Sequence, residues 1–341
     1  MITNKYLKWL GGTASYWWND SAVLQDMDQA IENGATGVTT NPLLIKRSLY
    51  AYPDFWRPYI QGAKGLKKDE KIEEIIRSVT GEIAKKFLPI YEATEGAQGY
   101  VCAQVNPSLQ GDAEAMYVMG KRLAGWAPNI AVKLPATAAG LEVMEELSAL
   151  GLTTVGTVSF TVPQAVEIAR RQQKGADRAR AAGLKPGAAF SVIMVGRLDE
   201  YLRDLSLDRK AGIADGDIIQ AGTACIKRAY RICGERGYES MLMPAAMRGN
   251  YHAAALAGAR MSMSVAANIQ AMLGEESEFT GHMDEPVAED VIGRLTAIPD
   301  FVRAYEPDGM KPEEFITYGT TQRTLSQFIE AGWAPIGEFE V

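Results

Sequence analysis

Short apolar runs alternate along the chain with longer segments whose apolar positions recur every three or four residues. The short runs predict strands and the longer segments predict amphipathic helices. The predicted strands are residues 12–18, 36–40, 100–105, 130–134, 153–159, 189–195, 240–246 and 260–265. The predicted helices are residues 21–33, 71–93, 112–124, 138–150, 163–182, 215–237 and 266–273. Eight strand–helix steps of this kind favour a single (β/α)8 barrel of the TIM type over an open doubly wound sheet.

The whole chain, residues 1–341, is interpreted as one barrel domain, because no low-complexity tract or shift in composition marks a linker. The barrel core is expected over about residues 10–273. The stretch 274–289, rich in glycine, proline and acidic residues, predicts a flexible insertion. Residues 290–335 are predicted to form one or two additional helices packed outside the barrel. The sequence leaves open whether residues 275–341 cover the barrel mouth or make a subunit contact. No G-x-G-x-x-G motif follows the first strand, which argues against a dinucleotide site.

The composition is that of a globular protein with a large core, since 47% of the 341 residues are hydrophobic and 23% are charged. The net charge of -7 argues against nucleic acid or an anionic membrane surface as a partner. No apolar run approaches the ~20 residues of a membrane span, and the start has no signal-peptide core. We therefore expect a cytoplasmic protein whose partners are small molecules, and the sequence leaves a homo-oligomer open.

Metal and triad chemistry are not expected. The three cysteines, Cys102, Cys225 and Cys233, show no metal-binding spacing and are interpreted as buried residues in a reducing compartment. The only histidines, His252 and His282, have no carboxylate–histidine motif around them, which disfavours a zinc site or a Ser-His-Asp triad. We expect no metal and no organic cofactor.

A single lysine interrupts the apolar run of the fourth predicted strand, in the segment Asn129–Gly140 (NIAVKLPATAAG). Burial of a charged amine is costly, and loss of its proton leaves a neutral amine that can attack a carbonyl carbon. Lys133 is thus a candidate for Schiff-base chemistry. The alternative from the residues alone is a lysine that extends to solvent or pairs with a carboxylate.

Polar residues follow or end most of the predicted strands. In a barrel of parallel strands, the carboxyl ends meet at one face, where chemistry is located. The set contains an amine, a carboxylate, several amides and hydroxyls, and two guanidiniums, which suits imine formation with an anionic substrate. Its members are Asp20, Thr39, Thr40, Asn41, Gln104, Asn106, Lys133, Thr157, Ser159, Arg197 and Arg248.

Five segments resemble the transaldolase family in order and in spacing. Residues 37–45 (GVTTNPLLI) resemble its threonine-asparagine-proline signature, and residues 131–140 resemble its Schiff-base lysine segment. Residues 151–165 are similar to the strand that comes after that lysine. Residues 195–198 (VGRL) and 243–250 (MPAAMRGN) are similar to the segments that carry its two phosphate-binding arginines. The resemblance covers about residues 13–270.

The resemblance implies a class I, Schiff-base-forming enzyme. Lys133 would form an imine with a ketose or ketose phosphate, and carbon–carbon cleavage would leave a dihydroxyacetone unit for transfer to an aldehyde acceptor. Asp20 would be the acid/base group at the substrate hydroxyl. Thr39 and Asn41 would hold the dihydroxyacetone hydroxyls, and Thr157 would help to position the catalytic water. Pentose phosphate and related carbohydrate metabolism would be the setting.

The resemblance also implies that Arg197 and Arg248 clamp the phosphate, for which bidentate guanidiniums are suited. Ser159 is included among the predicted substrate-binding residues and Gln104 among the catalytic ones. The sequence does not decide whether the anionic tail is phosphate, sulfonate or carboxylate. It does not fix the acceptor aldehyde either.

Structural roles compete for several of these residues. Asn41 precedes Pro42, which is a good start for a helix, so Asn41 could serve as its N-cap. Asp20 could equally cap a helix that begins near Ser21. Arg197 could pair with Asp199 at the surface. The sequence from Thr161 to Gln164 predicts a capping box, which makes these two residues structural.

Three positions depart from the family pattern. Gln104 stands where typical transaldolases carry a glutamate, and an amide can orient water but cannot exchange a proton with it at neutral pH. Glutamine here is a feature of the fructose 6-phosphate aldolase branch, which keeps a lyase that releases free dihydroxyacetone as an alternative. Met194 replaces an aromatic residue and counts against that branch. Val192 stands near a position where the family usually has a small or hydroxyl-bearing residue, which weakens one polar contact with the substrate. A non-catalytic sugar-phosphate-binding barrel is a further alternative.

Overall fold

The computed structural model describes residues 3–341, and within that range eight strands form one parallel sheet. The strands are β1 (Tyr16–Asp20), β2 (Gly37–Thr39), β3 (Tyr100–Gln104), β4 (Ile130–Pro135), β5 (Thr154–Thr157), β6 (Ala189–Met194), β7 (Met241–Ala245) and β8 (Ser262–Ala266). Neighbouring strands pair in chain order from β1 to β7, and β8 pairs with β1. β7 and β8 lie side by side, which brings the sheet round into a nearly closed barrel. The predicted (β/α)8 fold is confirmed.

Helices surround this barrel and continue beyond its last strand. In chain order they are α1 (Lys5–Gly11), α2 (Met27–Glu32), α3 (Pro42–Ala51), α4 (Pro53–Trp56), α5 (Lys68–Ala93), α6 (Ala113–Ala124), α7 (Ala138–Ala149), α8 (Val162–Ala181), α9 (Val195–Asp208), α10 (Asp215–Ile218), α11 (Ala221–Glu235), α12 (Asn250–Leu256), α13 (Ala267–Gly274), α14 (Glu289–Leu295), α15 (Pro299–Tyr305), α16 (Gly319–Gln327) and α17 (Ala334–Glu338). A π-helical turn, Phe328–Trp333, joins α16 to α17. None of the helices described for residues 3–341 has the length and apolar character to cross a membrane.

The amino end of the barrel interior is filled by three aromatic side chains. Trp18 of β1 packs edge-on against Phe190 of β6, with ring centroids 4.7 Å apart, and it also contacts Tyr100 of β3. Tyr100 and Phe190 lie near the start of their strands, so this cluster closes the lower part of the barrel. Open space is left at the carboxyl end, where barrels of this type place their sites.

Side chains that cap helices fix the turns after the central strands. Every residue of β4 is buried, and the Thr137 hydroxyl caps α7 by accepting from the Gly140 amide at 3.1 Å. Thr161 likewise caps α8, and the Gln164 side chain reciprocates by accepting from the Phe160 amide. The predicted structural role of Thr161 and Gln164 is therefore confirmed, and α7 starts directly after the lysine strand.

Several element boundaries differ from the prediction. The first strand is Tyr16–Asp20 instead of 12–18, because Gly12 still belongs to the end of α1, where its amide donates to the Trp9 carbonyl. The predicted helix 215–237 is divided into α10 and α11. Helix α9 was not predicted, since residues 195–198 were interpreted only as a segment that carries an arginine.

Additional helices follow the barrel at its C-terminal end, as predicted, but they are more numerous than the one or two expected. Residues 289–338 form α14, α15, a 3-10 turn (Pro312–Thr317), α16 and α17 together with the π-helical turn. Pro299, Pro312 and Pro335 each lie in the first turn of a new helical element, since proline lacks the amide proton that a helix interior needs. Part of this region reaches the barrel mouth, one of the two positions that the sequence left open, because Gln327 and Phe328 line the cavity there.

Replacement of Gly140 by alanine is expected to destabilise the fold by about 1–3 kcal/mol, because an added Cβ would lie 2.0 Å from the Pro135 carbonyl oxygen. Gly293→Ala is the matched control. Gly293 is exposed within α14, no atom lies within 4 Å of its added Cβ, and alanine should stabilise this helix by about 0.5–1 kcal/mol. Thermal unfolding of both variants measures the two effects. Equal melting temperatures would contradict the close packing after β4.

Candidate active site

A cavity of about 410 Å³ opens at the carboxyl end of the barrel. It is lined by residues from at least six strands or the turns after them, and by α3 and the C-terminal region. The polar and charged members of its wall are Asp20, Thr39, Asn41, Arg47, Lys133, Thr157, Arg197, Arg248, Ser264, Asn268 and Gln327. The fold therefore brings Lys133 and most of the predicted site residues to one cavity.

Lys133 lies at the centre of this arrangement. Its strand is held between β3 and β5, with Gln104 as its partner in register on one side and Val155 on the other. Only 7% of its surface is exposed, and its Nζ donates to the Thr40 carbonyl oxygen at 3.1 Å. The amine is thus buried, oriented by a neutral acceptor, and open to the cavity.

Asp20 ends β1 and faces the same space. Its Oδ1 accepts from the Thr39 hydroxyl at 2.7 Å, and the Thr39 oxygen is also 2.7 Å from the Ser264 hydroxyl. Burial raises the pKa of the Asp20 carboxyl, and the nearby Lys133 opposes this shift only in part. A carboxyl group whose pKa is raised holds a proton more readily than a free aspartate does, which suits it to act as an acid/base group.

Asp20 does not cap a helix. The turn after β1 is instead organised by the Ser21 hydroxyl, which accepts from the Val23 amide at 3.1 Å. Asn41 does cap α3, because its Oδ1 accepts from the Leu44 amide at 3.0 Å. The same side chain lines the cavity, so its structural contact and a contact with a ligand are compatible.

Two predicted site residues do not line the cavity. Ser159 is fully buried and its hydroxyl donates to the Val192 carbonyl oxygen at 2.5 Å, a contact that stabilises the end of β5. Gln104 is 4% exposed and neighbours Lys133. Among the residues described, none gives its Oε1 a hydrogen bond. A buried acceptor without a partner is costly, which makes this amide suited to hold a water or a ligand hydroxyl.

Three guanidiniums line the same cavity. Arg197 is contributed by α9, Arg248 by the turn after β7, and Arg47 by α3. Burial lowers the pKa of Arg197, and the positive charges of Arg248 and Arg47 act in the same direction. This mutual repulsion leaves the arginine end of the cavity suited to bind an anion.

The two predicted arginines have different partners. Arg248 forms a two-pronged ion pair with Glu200, with distances of 2.5 and 2.9 Å. Arg197 donates to the Thr324 hydroxyl at 3.2 Å, and its guanidinium lies over the Phe328 ring. The alternative that Arg197 pairs with Asp199 at the surface was wrong, because Asp199 is buried and bonds to other groups.

A buried pair connects the elements that carry these arginines. The Asp199 carboxylate lies 2.9 Å from His252 Nε2 and accepts from the Gly222 amide at 2.8 Å. The other nitrogen of His252 accepts from the Arg248 amide at 3.3 Å. The turn with Arg248 is therefore tied to the helix with Arg197 through two side chains that are almost completely buried.

A second cavity of about 410 Å³ lies near the amino ends of β6 and β7. Its most buried polar side chains bond to the protein itself. Gln172 donates to the carbonyls of Thr154 and Phe190, each at 3.1 Å, and accepts from the Ser240 hydroxyl at 2.6 Å. These hydrogen bonds hold β5, β6 and β7 together at the amino end of the barrel, so we interpret the polar residues around the second cavity as structural.

The sequence did not identify Arg47, Ser264, Gln327 or Phe328 as site residues. Arg47 had a signal that could have been used, since Leu43, Leu44 and Arg47 share one face of a helix whose start was predicted. Gln327 and Phe328 had no such signal in the sequence, because only the folding of the chain brings them to the cavity that Lys133 lines. Val192 and Met194, two of the departures from the family pattern, both line the cavity.

The structure is a (β/α)8 barrel in which a buried lysine, a half-buried carboxyl and several guanidiniums line one cavity. These features define a class of barrels suited to carbonyl chemistry on an anionic compound. The model of the Transaldolase/Fructose-6-phosphate aldolase family matches residues 17–297. The chain belongs to this family, and the family membership predicted from the sequence is confirmed.

Curated relatives of the chain carry the corresponding name. Transaldolase 1 of Streptomyces avermitilis is 31% identical over 194 residues, which cover 55% of this chain and 50% of that protein. Transaldolase of Thiobacillus denitrificans is 27% identical over 215 residues, covering 59% and 57%. Probable transaldolase 1 of Bacillus cereus is 27% identical over 257 residues, covering 74% and 87%. The part of this chain that aligns with the first two relatives spans about half of their length.

Asp20→Asn is expected to raise the thermal stability of the protein at neutral pH. Because the pKa of Asp20 is raised in the folded state, ionisation of this carboxyl disfavours folding, and the wild type loses stability as the pH rises through that pKa. The asparagine variant lacks this loss. Melting temperatures measured at intervals from about pH 4 to pH 8 test the prediction: the advantage of the variant should grow as the pH rises above the usual pKa of an aspartate, 3.8. An advantage that does not change over this range would contradict it.

Proposed function

We propose that this chain is a Schiff-base transaldolase, which transfers a dihydroxyacetone unit from a phosphorylated or otherwise anionic ketose to an aldehyde acceptor. The observation that carries the proposal is the buried Lys133 amine, which opens to the same cavity as the Asp20 carboxyl and the arginines. Family membership supports it, and the names of the relatives agree. The reaction needs no metal or organic cofactor, because the imine serves as the electron sink.

The first half of the reaction builds and breaks bonds at the donor. The Lys133 amine adds to the ketose carbonyl, and loss of water gives a protonated imine. Asp20, as its carboxylate, removes the proton from the hydroxyl on the second carbon beyond the carbonyl. The bond between the first and the second carbon beyond the imine carbon then breaks, the second carbon leaves as part of an aldehyde, and the bonding electrons pass into the imine to give an enamine.

The second half reverses these steps with a new partner. The enamine carbon attacks the carbonyl of the acceptor aldehyde, and Asp20 returns its proton to the oxygen that becomes a hydroxyl. Water then hydrolyses the imine, which frees the product ketose and the Lys133 amine. In this scheme Thr39 and Asn41 hold the dihydroxyacetone hydroxyls, and Thr157 and Gln104 position the water.

The arginines bind the tail of the substrate. Arg197 and Arg248 clamp the anionic group in this scheme, and Arg47 adds a third positive charge to the same cavity. Ser159 acts on the substrate only indirectly, through the end of β5 that it stabilises. Phosphate, sulfonate and carboxylate tails all suit guanidiniums.

Reductive trapping tests the lysine. Borohydride added with fructose 6-phosphate should leave a covalent three-carbon adduct on Lys133, detected by peptide mass spectrometry. Lys133→Met should abolish both trapping and turnover, because the imine needs this amine. Lys227→Met is the matched control, since Lys227 is half-buried outside the cavity and donates to the carbonyls of His282 and Glu285. Full activity of the Lys133 variant would refute the mechanism.

A lyase that releases free dihydroxyacetone is the second candidate. Gln104 favours it, because an amide cannot carry the proton that a glutamate would exchange with water. Met194 counts against it, since a thioether on the cavity wall provides no hydroxyl to bind that water. A donor supplied without an acceptor separates the two activities, because only a lyase sustains release of the three-carbon ketone.

Gln104→Glu is expected to raise the ratio of transfer to free release, by about tenfold if proton exchange with water sets this ratio. The measurement is the yield of transferred product against free dihydroxyacetone at a fixed acceptor concentration. Gln98→Glu is the control, because Gln98 is another buried glutamine with an unpartnered Oε1 among the described residues, but it precedes β3 at the opposite end of the strand. An unchanged ratio would contradict the role given to Gln104.

A further inference from the structure

The C-terminal segment, residues 319–338, forms part of the cavity wall. It comprises α16, the π-helical turn and α17, and its residues Gln327 and Phe328 line the same cavity as Lys133. This segment lies beyond residue 297, where the match to the family model ends. The match to the family model therefore does not assign a role to this segment.

Close packing on α3 and α5 holds the segment in place. Gly332 lies so near the start of α3 that an added Cβ would be 2.8 Å from the Leu43 amide nitrogen. The Tyr50 hydroxyl donates to the Pro335 carbonyl at 3.1 Å, and the Lys71 Nζ donates to the Gly337 carbonyl at 3.0 Å. The segment is thus fixed against the helix that Asn41 caps.

The segment also makes the contacts that orient Arg197. The buried Thr324 hydroxyl accepts from Arg197 Nη1 at 3.2 Å, and the centroid of the Phe328 ring lies 5.8 Å from the guanidinium carbon. The Nε of Arg197 is buried, and no other residue described in the structure accepts its proton. A buried donor of this kind has a strong preference for an acceptor, such as an oxyanion.

These two contacts differ in an important way from the contact of Arg248. Glu200 neutralises Arg248, whereas a hydroxyl and an aromatic ring orient Arg197 without cancelling its charge. Glu200 and Asp20 act on Arg197 only without direct contact, so its guanidinium remains available to a ligand in the cavity. The cost of holding an unneutralised cation in a partly buried position is offset when an anion binds there.

We propose that the C-terminal segment is a specificity element of the substrate site, in which Thr324 and Phe328 hold the Arg197 guanidinium in position for the anionic tail of the donor. This inference rests on the proposed use of an anionic ketose. Thr324 acts through Arg197 and is a positioning residue, while Phe328 also forms the wall next to the tail. The segment should govern affinity for the tail and leave the chemistry at Lys133 unchanged.

Binding of inorganic phosphate to the full-length protein tests this proposal by calorimetry. Thr324→Val and Phe328→Leu each retain most of the side-chain volume and should weaken phosphate binding by about fivefold, as expected for a lost contact worth ~1 kcal/mol. Thr324→Ser should restore most of the affinity. The matched control is Thr321→Val on the same helix, because the structure gives the buried Thr321 hydroxyl no partner within residues 3–341.

Steady-state kinetics with fructose 6-phosphate supply a second readout. The Thr324→Val and Phe328→Leu variants should raise KM about fivefold and keep kcat within about twofold. Unchanged phosphate affinity in both variants would overturn the proposal, as would an equal loss in the Thr321→Val control. A wild type that does not bind phosphate would overturn it as well.

Trapping with dihydroxyacetone, which has no anionic tail, separates this proposal from the proposed function. Trapping on Lys133 in the wild type and in both variants, together with weaker phosphate binding, supports the proposal. Trapping with unchanged phosphate binding overturns the role of the segment and leaves the Schiff-base mechanism intact. Absence of trapping in the wild type refutes the mechanism, whereas weaker phosphate binding in the variants would still support an anion-binding role.

Discussion

The placement of an amine and a carboxyl in one cavity at the carboxyl end of the barrel is the constraint on which the site depends. Burial raises the pKa of the Asp20 carboxyl, and the nearby Lys133 opposes this shift in part. Their strands, β4 and β1, are separated by β3 and β2 in the sheet, and only the curvature of the barrel lets both side chains face one cavity. The hydroxyls of Thr39 and Ser264 complete this arrangement by supporting the carboxyl group.

The arginine end of the cavity is organised differently, because two buried side chains that do not line the cavity, Asp199 and His252, hold it in place. The Asp199–His252 pair ties the turn with Arg248 to the helix with Arg197. Burial raises the pKa of Asp199, so this carboxyl depends on its hydrogen bonds with His252 and the Gly222 amide. The two guanidiniums therefore keep a fixed relation to each other, which favours anions of matching shape.

Much of the fold could be predicted because it is encoded in local patterns. The buried strands are short apolar runs, and the helix starts after β2, β4 and β5 are marked by Asn41, Thr137 and Thr161, whose side chains all act as caps. The position of Lys133 within an apolar strand was enough to single it out. Helix α9 was missed because its first turn comes directly after β6, without a capping side chain that could mark the boundary.

The parts of the site that were not predicted depend on contacts between distant positions. Gln327 and Phe328 belong to a helical region with no strand signal, and nothing in their local sequence indicates that they face the barrel mouth. Ser159, in contrast, was predicted as a site residue because it follows a strand. Its hydroxyl donates to a backbone carbonyl instead, and the residue does not line the cavity. Placement at a strand end is thus a useful guide to this type of site, but it is not sufficient.

The π-helical turn between α16 and α17 has a consequence for the register of the chain. Such a turn contains one more residue than an α-helical turn, so it rotates the residues after it by about 100° relative to a continuous α-helix. Phe328 opens the turn on the cavity side, and Gly332 lies within it against α3. A shortening of this turn by one residue would leave the two ends of the segment out of phase, so that contacts with the arginine and with α3 could not be made together.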